Sequence, residues 1–339
     1  MQGNPRAVEE VVHNTTERGA IHMAESITVM TTGGTIATPR DYRQRRLSAK
    51  DLAEVLNSSD QRITDAHVAW KDFASRPSNA ITCDDVLSLL DRMEKEIAEG
   101  AKAVVITHGT DFMEETAYLL SLFWEYDQPV ILTGAMRSAG SISADGPRNL
   151  EAALRTAESP RAQGRGPLLV FHDKIYATGE ISKVHSWDTD AFAAELGPLG
   201  TINQWNELHF QRETIKRKTL PRPTSLTEPV ALITASMDTS EAMVDALVSG
   251  GYRGLVIQGG GRGSLPPRMM EAAKYAADNG VHIVIASRCA FGGTSPGSLS
   301  PGIIRAGNLN GVKARLLLLV AISLHGYDRD KIRETFDAH

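Results

Sequence analysis

Cysteine is almost missing from this chain of 339 residues; only Cys83 and Cys289 are present. Two thiols make no disulfide framework, and no CxxC or Cys/His spacing points to structural zinc. We read both as incidental thiols in a reducing compartment. Long apolar runs are lacking too. The longest, Leu316–Ile322, falls far short of the ~18 residues of a membrane span. Residues 1–25 carry Glu9, Glu10, Glu17, Arg18 and Glu25 and lack the apolar stretch of a secretory signal. We take them as a loose N-terminal extension and expect a cytoplasmic protein without membrane contact. There is no excess of positive charge either. The formal net charge is -5, so no basic field exists to attract nucleic acid.

What remains is ordinary globular material. Hydrophobic residues make up 42% and charged residues 23%, enough for a full core. At roughly 100–200 residues per domain, the length predicts two domains. Short apolar runs at Ile27–Met30, Ala103–Thr107, Val130–Thr133 and Leu168–Phe171 read as buried strands. Amphipathic stretches lie between them. In Val86–Glu99, for example, Val86, Leu89, Leu90, Met93 and Ile97 fall at helical spacing. Such alternation predicts an α/β fold with a mainly parallel sheet covered on both faces.

The pattern breaks at Arg212–Pro229, which holds Pro221, Pro223 and Pro229 and no periodicity. Alternation then resumes with strands at Val230–Thr234, Gly254–Ile257 and Val281–Ala286. Helices are predicted at Ser240–Ser249, Pro267–Asn279 and Gly311–Leu324. The expected boundaries are an extension at 1–25, a larger domain at 26–212, a linker at 213–229 and a smaller α/β domain at 230–339. No internal repeat of solenoid length is present.

Three polar clusters follow predicted strands, where open α/β sheets place their ligands. The first is Thr31-Thr32-Gly33-Gly34-Thr35-Ile36-Ala37. Its paired glycines permit a sharp turn that presents the Thr35 hydroxyl. Taken alone it is also compatible with a plain glycine turn, and no phosphate-loop sequence occurs anywhere. The second is Thr107-His108-Gly109-Thr110-Asp111-Phe112-Met113-Glu114-Glu115-Thr116-Ala117. Here Asp111 reads as a helix N-cap with Glu114 at capping-box spacing. The third, Thr133–Arg137 with Ser143–Pro147, reads as a supporting loop.

Together the clusters carry a resemblance. TGGTIA at 32–37, HGTDFMEETA at 108–117 and GAMR with SADGPRNL at 134–150 are similar to the L-asparaginase/glutaminase family. The likeness continues through GPLG at 197–200 and covers roughly 26–337. It implies an asparaginase-like α/β fold and hydrolysis of a side-chain amide through an acyl-threonine, with no metal or cofactor. It implies Thr35 as nucleophile and Tyr42 as its loop partner. Thr110, Asp111 and Lys183 form the second catalytic group. By the same resemblance, Ser75, Gly109, Thr110 and Asp111 are expected to contact the substrate. It also implies a homotetramer of tight dimers with sites at the dimer interface, acting on a small-molecule amide.

Three departures bear on the substrate. Arg76 stands where the family usually has Gln, and Arg262 where a neighbouring subunit supplies Asn. No acidic residue lies between Cys289 and Gly302, where the family's Glu is expected. An ammonium about 4 Å from one guanidinium is repelled by roughly 4 kcal/mol at an effective dielectric of 20. Two substrates therefore stay open. One is asparagine, with the arginines turned outward or paired. The other is an ω-amide without a free α-ammonium, such as a dicarboxylic monoamide, a keto-acid amide or an N-acyl asparagine, held by Arg76 and Arg262. Two functions of other classes also stay open: a nucleotide-binding protein using Gly259–Ser264, and a glutaminase subunit that passes ammonia to a partner.

Overall fold

The structure is a computed structural model, and it describes residues 26–39, 43, 45–57, 67–215, 218–295 and 302–339. Strand and helix alternate from the start. β1 (Ser26–Gly33), α1 (Ala49–Asn57), β2 (His67–Arg76), α2 (Cys83–Ala98) and β3 (Ala101–Thr107) come first. They are followed by α3 (Met113–Phe123), β4 (Val130–Thr133), α4 (Gly146–Glu158) and β5 (Pro167–Phe171). These five strands pair in parallel in the order β2-β1-β3-β4-β5.

Beyond β5 the sheet changes character. β6 (Lys174–Ala177) returns antiparallel to β5, because His172 and Asp173 between them both adopt positive φ, 50° and 59°. Two such residues make a tight hairpin turn, which reverses the chain at once. β7 (Ile181–Lys183) and β8 (Phe192–Ala194) form a separate antiparallel pair. β9 (Gly200–Ile202) and β10 (Leu208–Phe210) extend the main sheet to eight strands, also antiparallel. The large sheet is thus mixed. It is parallel where the sequence predicted strands, with an antiparallel extension that the sequence did not reveal.

The parallel half is buried on both faces, as expected of strands read as unbroken apolar runs. On β3, Val104 and Ile106 face one core with α2 and α3, while Ala103 and Val105 face another with α4. β2 is the edge strand, half exposed along its length, and its mixed composition hid it from the sequence.

Residues 211–229 hold no strand or helix among those described. After them, β11 (Val230–Thr234), β12 (Gly254–Gly259), β13 (His282–Ser287) and β14 (Ile303–Asn310) make a second, parallel sheet. α5 (Ala242–Ser249) and α6 (Pro267–Asp278) pack on one face of it. α7 (Gly311–His325) lies against the other face and also against α3 of the large unit. That double burial explains why Leu316–Ile322 is apolar without helical periodicity. α8 (Arg329–Asp337) closes the chain beside α7. No described helix is long and apolar enough to cross a membrane.

Candidate active site

The first polar cluster ends β1 and the second ends β3, which are adjacent strands. Thr32 Oγ1 donates to the Thr107 carbonyl at 3.0 Å, so the two strand ends are tied where the chain leaves the sheet. Gly34 follows with φ of 82°. A Cβ built there would lie 2.5 Å from the Gly109 nitrogen. Only a glycine permits this approach, and it brings the residue before Thr35 against Gly109. Thr35 opens a single 3-10 turn, Thr35–Ala37, and is itself half-buried.

The loop after Ala37 is rooted beside Thr35. Leu47 N–H returns to the Ala37 carbonyl at 2.7 Å. Asp72 fixes the far root by accepting from Thr31 Oγ1 at 2.7 Å and from Ala49 N–H at 2.9 Å. Tyr42, the expected loop partner, lies outside the described residues.

His108, just before Gly109, is fully buried. Its Nδ1 meets the Gly109 carbonyl at 2.8 Å and its Nε2 meets Thr116 Oγ1 at 3.1 Å. A carbonyl only accepts, so Nδ1 carries the proton and the Thr116 hydroxyl donates to Nε2. Burial pushes the imidazole below its ordinary range, while the Gly109 hydrogen bond opposes that shift. The ring is therefore a neutral strut that orients the Gly109 peptide.

Thr110 is buried, and Asp111 beside it is open to solvent. The structure corrects the helix-cap reading of Asp111. α3 begins at Met113 with Phe112 at the cap position and no side-chain cap. Asp111 instead accepts from Lys183 Nζ at 2.7 Å. The same ammonium donates to Thr110 Oγ1 at 3.0 Å. Lys183 ends β7, so the short β7–β8 ladder delivers it to the tip of β3. Glu114 does not close a capping box either. Its carboxylate accepts from Lys183 N–H at 2.9 Å and from Ser182 Oγ at 3.1 Å.

The third cluster supports the first two. Met136 N–H and Arg137 N–H donate to Asp145 at 3.0 and 2.9 Å, folding that loop onto the start of α4. A Cβ at Gly146 would come within 2.9 Å of Ile36 Cγ1, so α4 presses on the turn that carries Thr35.

The expected substrate contacts separate into two groups. Gly109 meets Gly34, the residue before Thr35, and Thr110 and Asp111 both hold Lys183 Nζ. Ser75 is exposed near the end of β2, and the backbone of the next residue, Arg76, pairs with Gly33. The Arg76 guanidinium is already engaged. It donates to Asp85 Oδ1 at 2.7 Å and to the Ala80 carbonyl at 3.2 Å. Burial pushes the Asp85 carboxyl up, but hydrogen bonds from Arg76 and Thr82 outweigh it and hold the group below the usual range. Arg262 is exposed at the tip of the Gly259–Ser264 turn. No hydrogen bond or ion pair among the described residues joins it to Thr35, Thr110 or Lys183. That turn closes on itself through a Gly260–Ser264 bridge, and Ser287 Oγ donates to the Gly261 carbonyl at 2.6 Å.

Sequence reasoning missed three residues around Lys183. These are Ser182, Asn310 and Lys313, all within hydrogen-bonding or ion-pair reach of Glu114. One signal was available: charged Glu114 and Lys313 fall on helices whose buried positions are mostly apolar.

A mixed α/β sheet with threonine, aspartate and lysine converging beyond its strand ends, next to a second parallel α/β unit, defines a two-domain amidohydrolase architecture. The comparisons agree on which one. The family model described as "Asparaginase, N-terminal" matches residues 26–216, and "Glutaminase/Asparaginase C-terminal domain" matches 229–336. This chain belongs to the asparaginase/glutaminase family. It is 31% identical to L-asparaginase 2 of Escherichia coli over 337 residues, covering 95% of each chain. It is 37% identical to a probable L-asparaginase of Deinococcus radiodurans over 273 residues, covering 77% of this chain and 82% of that one. Among solved structures it resembles a probable cytoplasmic L-asparaginase from Campylobacter jejuni. The TM-score is 0.85 at 33% identity, covering 93% of this chain and all of the other.

Proposed function

We propose that this protein hydrolyses the side-chain amide of L-asparagine in the cytoplasm, with Thr35 as nucleophile. The observation that carries the reading is the pairing of Lys183 Nζ with Thr110 and Asp111 next to the Gly34–Gly109 contact that seats Thr35. A threonine hydroxyl is weak at neutral pH and needs a base and an oriented proton path. The Thr110–Lys183 pair supplies one path. The family resemblance assigns another to Tyr42.

Thr35 Oγ attacks the amide carbon, and its proton passes into this relay. The tetrahedral oxyanion is stabilised by backbone N–H groups near Thr110. Collapse breaks the C–N bond, and the leaving nitrogen takes the relayed proton and departs as ammonia. Water then attacks the ester, releases the carboxylate and restores the Thr35 hydroxyl. Ser75, Gly109 and Asp111 position the substrate.

Asparagine is favoured over an amide without an α-ammonium because the Arg76 charge is matched by Asp85. A paired guanidinium no longer repels an ammonium with its full field. A substrate panel with ammonia detection tests this. Asparagine should give the highest kcat/KM. Higher values for succinamate or keto-acid amides would reverse the assignment and make Arg76 and Arg262 carboxylate contacts.

We place the domain boundaries at 26–212 and 230–339, with 213–229 as linker. We also propose a homotetramer of tight dimers, each site completed by the partner subunit. The exposed position of Arg262, detached from the Lys183 group within one chain, supports this. Light scattering that finds an active monomer would remove it.

A further inference from the structure

Lys183 sits on a three-residue strand in a two-stranded ladder. So short a ladder has little stiffness of its own. What holds it is a largely buried polar cluster drawn from α3, from β7 itself and from the junction of β14 with α7. Glu114 on α3 accepts from the Lys183 N–H at 2.9 Å, Ser182 Oγ at 3.1 Å and Asn310 Nδ2 at 2.5 Å. Asn310 Nδ2 also donates to Ser182 Oγ at 3.0 Å. Lys313 on α7 donates from Nζ to the Ile181 carbonyl and lies 3.8 Å from Glu114 Oε1. The side chains of Lys313 and Glu114 are only 5% and 11% exposed.

Each strand residue is therefore gripped: Ile181 by Lys313, Ser182 by Glu114 and Asn310, and Lys183 by Glu114. Two of the four gripping or bridging side chains, Asn310 and Lys313, come from the C-terminal unit. Asn310 further caps α7 by accepting from Lys313 N–H at 3.0 Å. A charged pair taken out of water is costly unless every partner is satisfied, and stability alone favours an apolar contact there. Its use must lie in placement.

We propose that Glu114, Ser182, Asn310 and Lys313 form a positioning clamp for Lys183, through which the C-terminal domain sets the catalytic geometry of the N-terminal one. The proposal rests on the reading of Lys183 as a catalytic group. All four bond to the strand that carries Lys183 or to one another. Their effect is on where the ammonium stands relative to Thr110, and misplacement of about 1 Å is enough to cost roughly 100-fold in rate.

The test is steady-state kinetics on the full chain with L-asparagine, with thermal melting in parallel. Lys183→Met should lose about 1000-fold or more in kcat. Glu114→Gln should lose about 10- to 100-fold in kcat, with KM within about threefold of the parent. Ser182→Ala removes one hydroxyl and should lose about three- to tenfold in kcat at unchanged KM. If Glu114→Gln does not fold, Ser182→Ala decides. An inactive Lys183→Met beside clamp variants that keep parental kcat overturns the clamp alone. Clamp variants whose KM rises in proportion to the loss of kcat/KM also overturn it, because that marks general loosening. Full turnover by Lys183→Met overturns the catalytic reading, and the clamp with it.

Discussion

Gly34 and Gly109 lie in backbone contact, so close that a methyl group on Gly34 would stand 2.5 Å from the Gly109 nitrogen. The contact joins the β1 and β3 motifs into one site. Gly34→Ala carries two penalties. Its φ of 82° is left-handed, costing roughly 1–2 kcal/mol for a residue with a Cβ. The added carbon overpacks the contact for about 1–3 kcal/mol more. We expect a loss of about 2–5 kcal/mol in denaturant unfolding, with activity lost to a greater degree. A variant of parental stability and turnover would mean that this contact does not seat Thr35.

Thr110→Val tests the lysine's partner by a change of similar volume. The hydroxyl that receives the Lys183 ammonium at 3.0 Å disappears. We expect kcat to fall about 100-fold or more. Stability should fall by only ~1–2 kcal/mol, because a single side-chain hydrogen bond is lost from a buried position. Stopped-flow or coupled ammonia assays read the first quantity and denaturant melts the second. Turnover within threefold of the parent would remove Thr110 from the relay.

Arg76→Gln separates structure from specificity. The guanidinium is about two-fifths exposed and serves Asp85. Losing a pair of that kind costs about 0.5–1 kcal/mol. Asp85 is held below its ordinary range, so its contribution is present above the unfolded carboxylate pKa of ~3.9 and fades as acid protonates it. KM for asparagine should stay within about threefold, since the arginine is engaged elsewhere. A tenfold improvement in KM would place the arginine's charge in the substrate's field.

Glu115 offers a pH-dependent check on the packing of α3 against α7. Burial pushes its carboxyl up to about 7, and the charge of Glu114 adds to the rise. The folded state thus holds a proton that the unfolded chain has released above ~4.3. Stability from this group is full below that value and is lost as pH climbs through 7. Glu115→Gln should therefore gain on the parent by a larger margin at pH 8 than at pH 5, of order ~2 kcal/mol. Equal margins at both pH values would show that Glu115 is not buried as described.

The legible parts of the sequence were those with one dominant cause. Ala103–Thr107 and Leu168–Phe171 are buried on both faces, so their apolar runs announced strands. The Thr-Gly-Gly-Thr turn announced itself because such an approach needs glycine. What stayed hidden depended on two forces at once. β2 is an edge strand of mixed polarity, and its periodicity was blurred. The β5–β6 hairpin turns through His172-Asp173, which carries none of the usual Asn-Gly signal. Asp111 and Glu114 suit helix capping locally, yet Lys183 and Ser182, about 70 residues away, claim both side chains. Arg76 reads in the sequence either as a substrate contact or as half of a local pair, and only the fold shows Asp85, nine residues on, bound to it. Tertiary partners decided each of these, and local pattern does not encode them.

The central claim is that Thr35 becomes esterified during turnover. Acid quenching during steady-state turnover of asparagine, followed by peptide mass spectrometry, tests it directly. The account predicts an aspartyl mass addition confined to the peptide that contains Thr35, absent in Thr35→Ala, which should also be inactive while melting within about 1 kcal/mol of the parent. An acyl group trapped on another residue, or continued hydrolysis by Thr35→Ala, would contradict it.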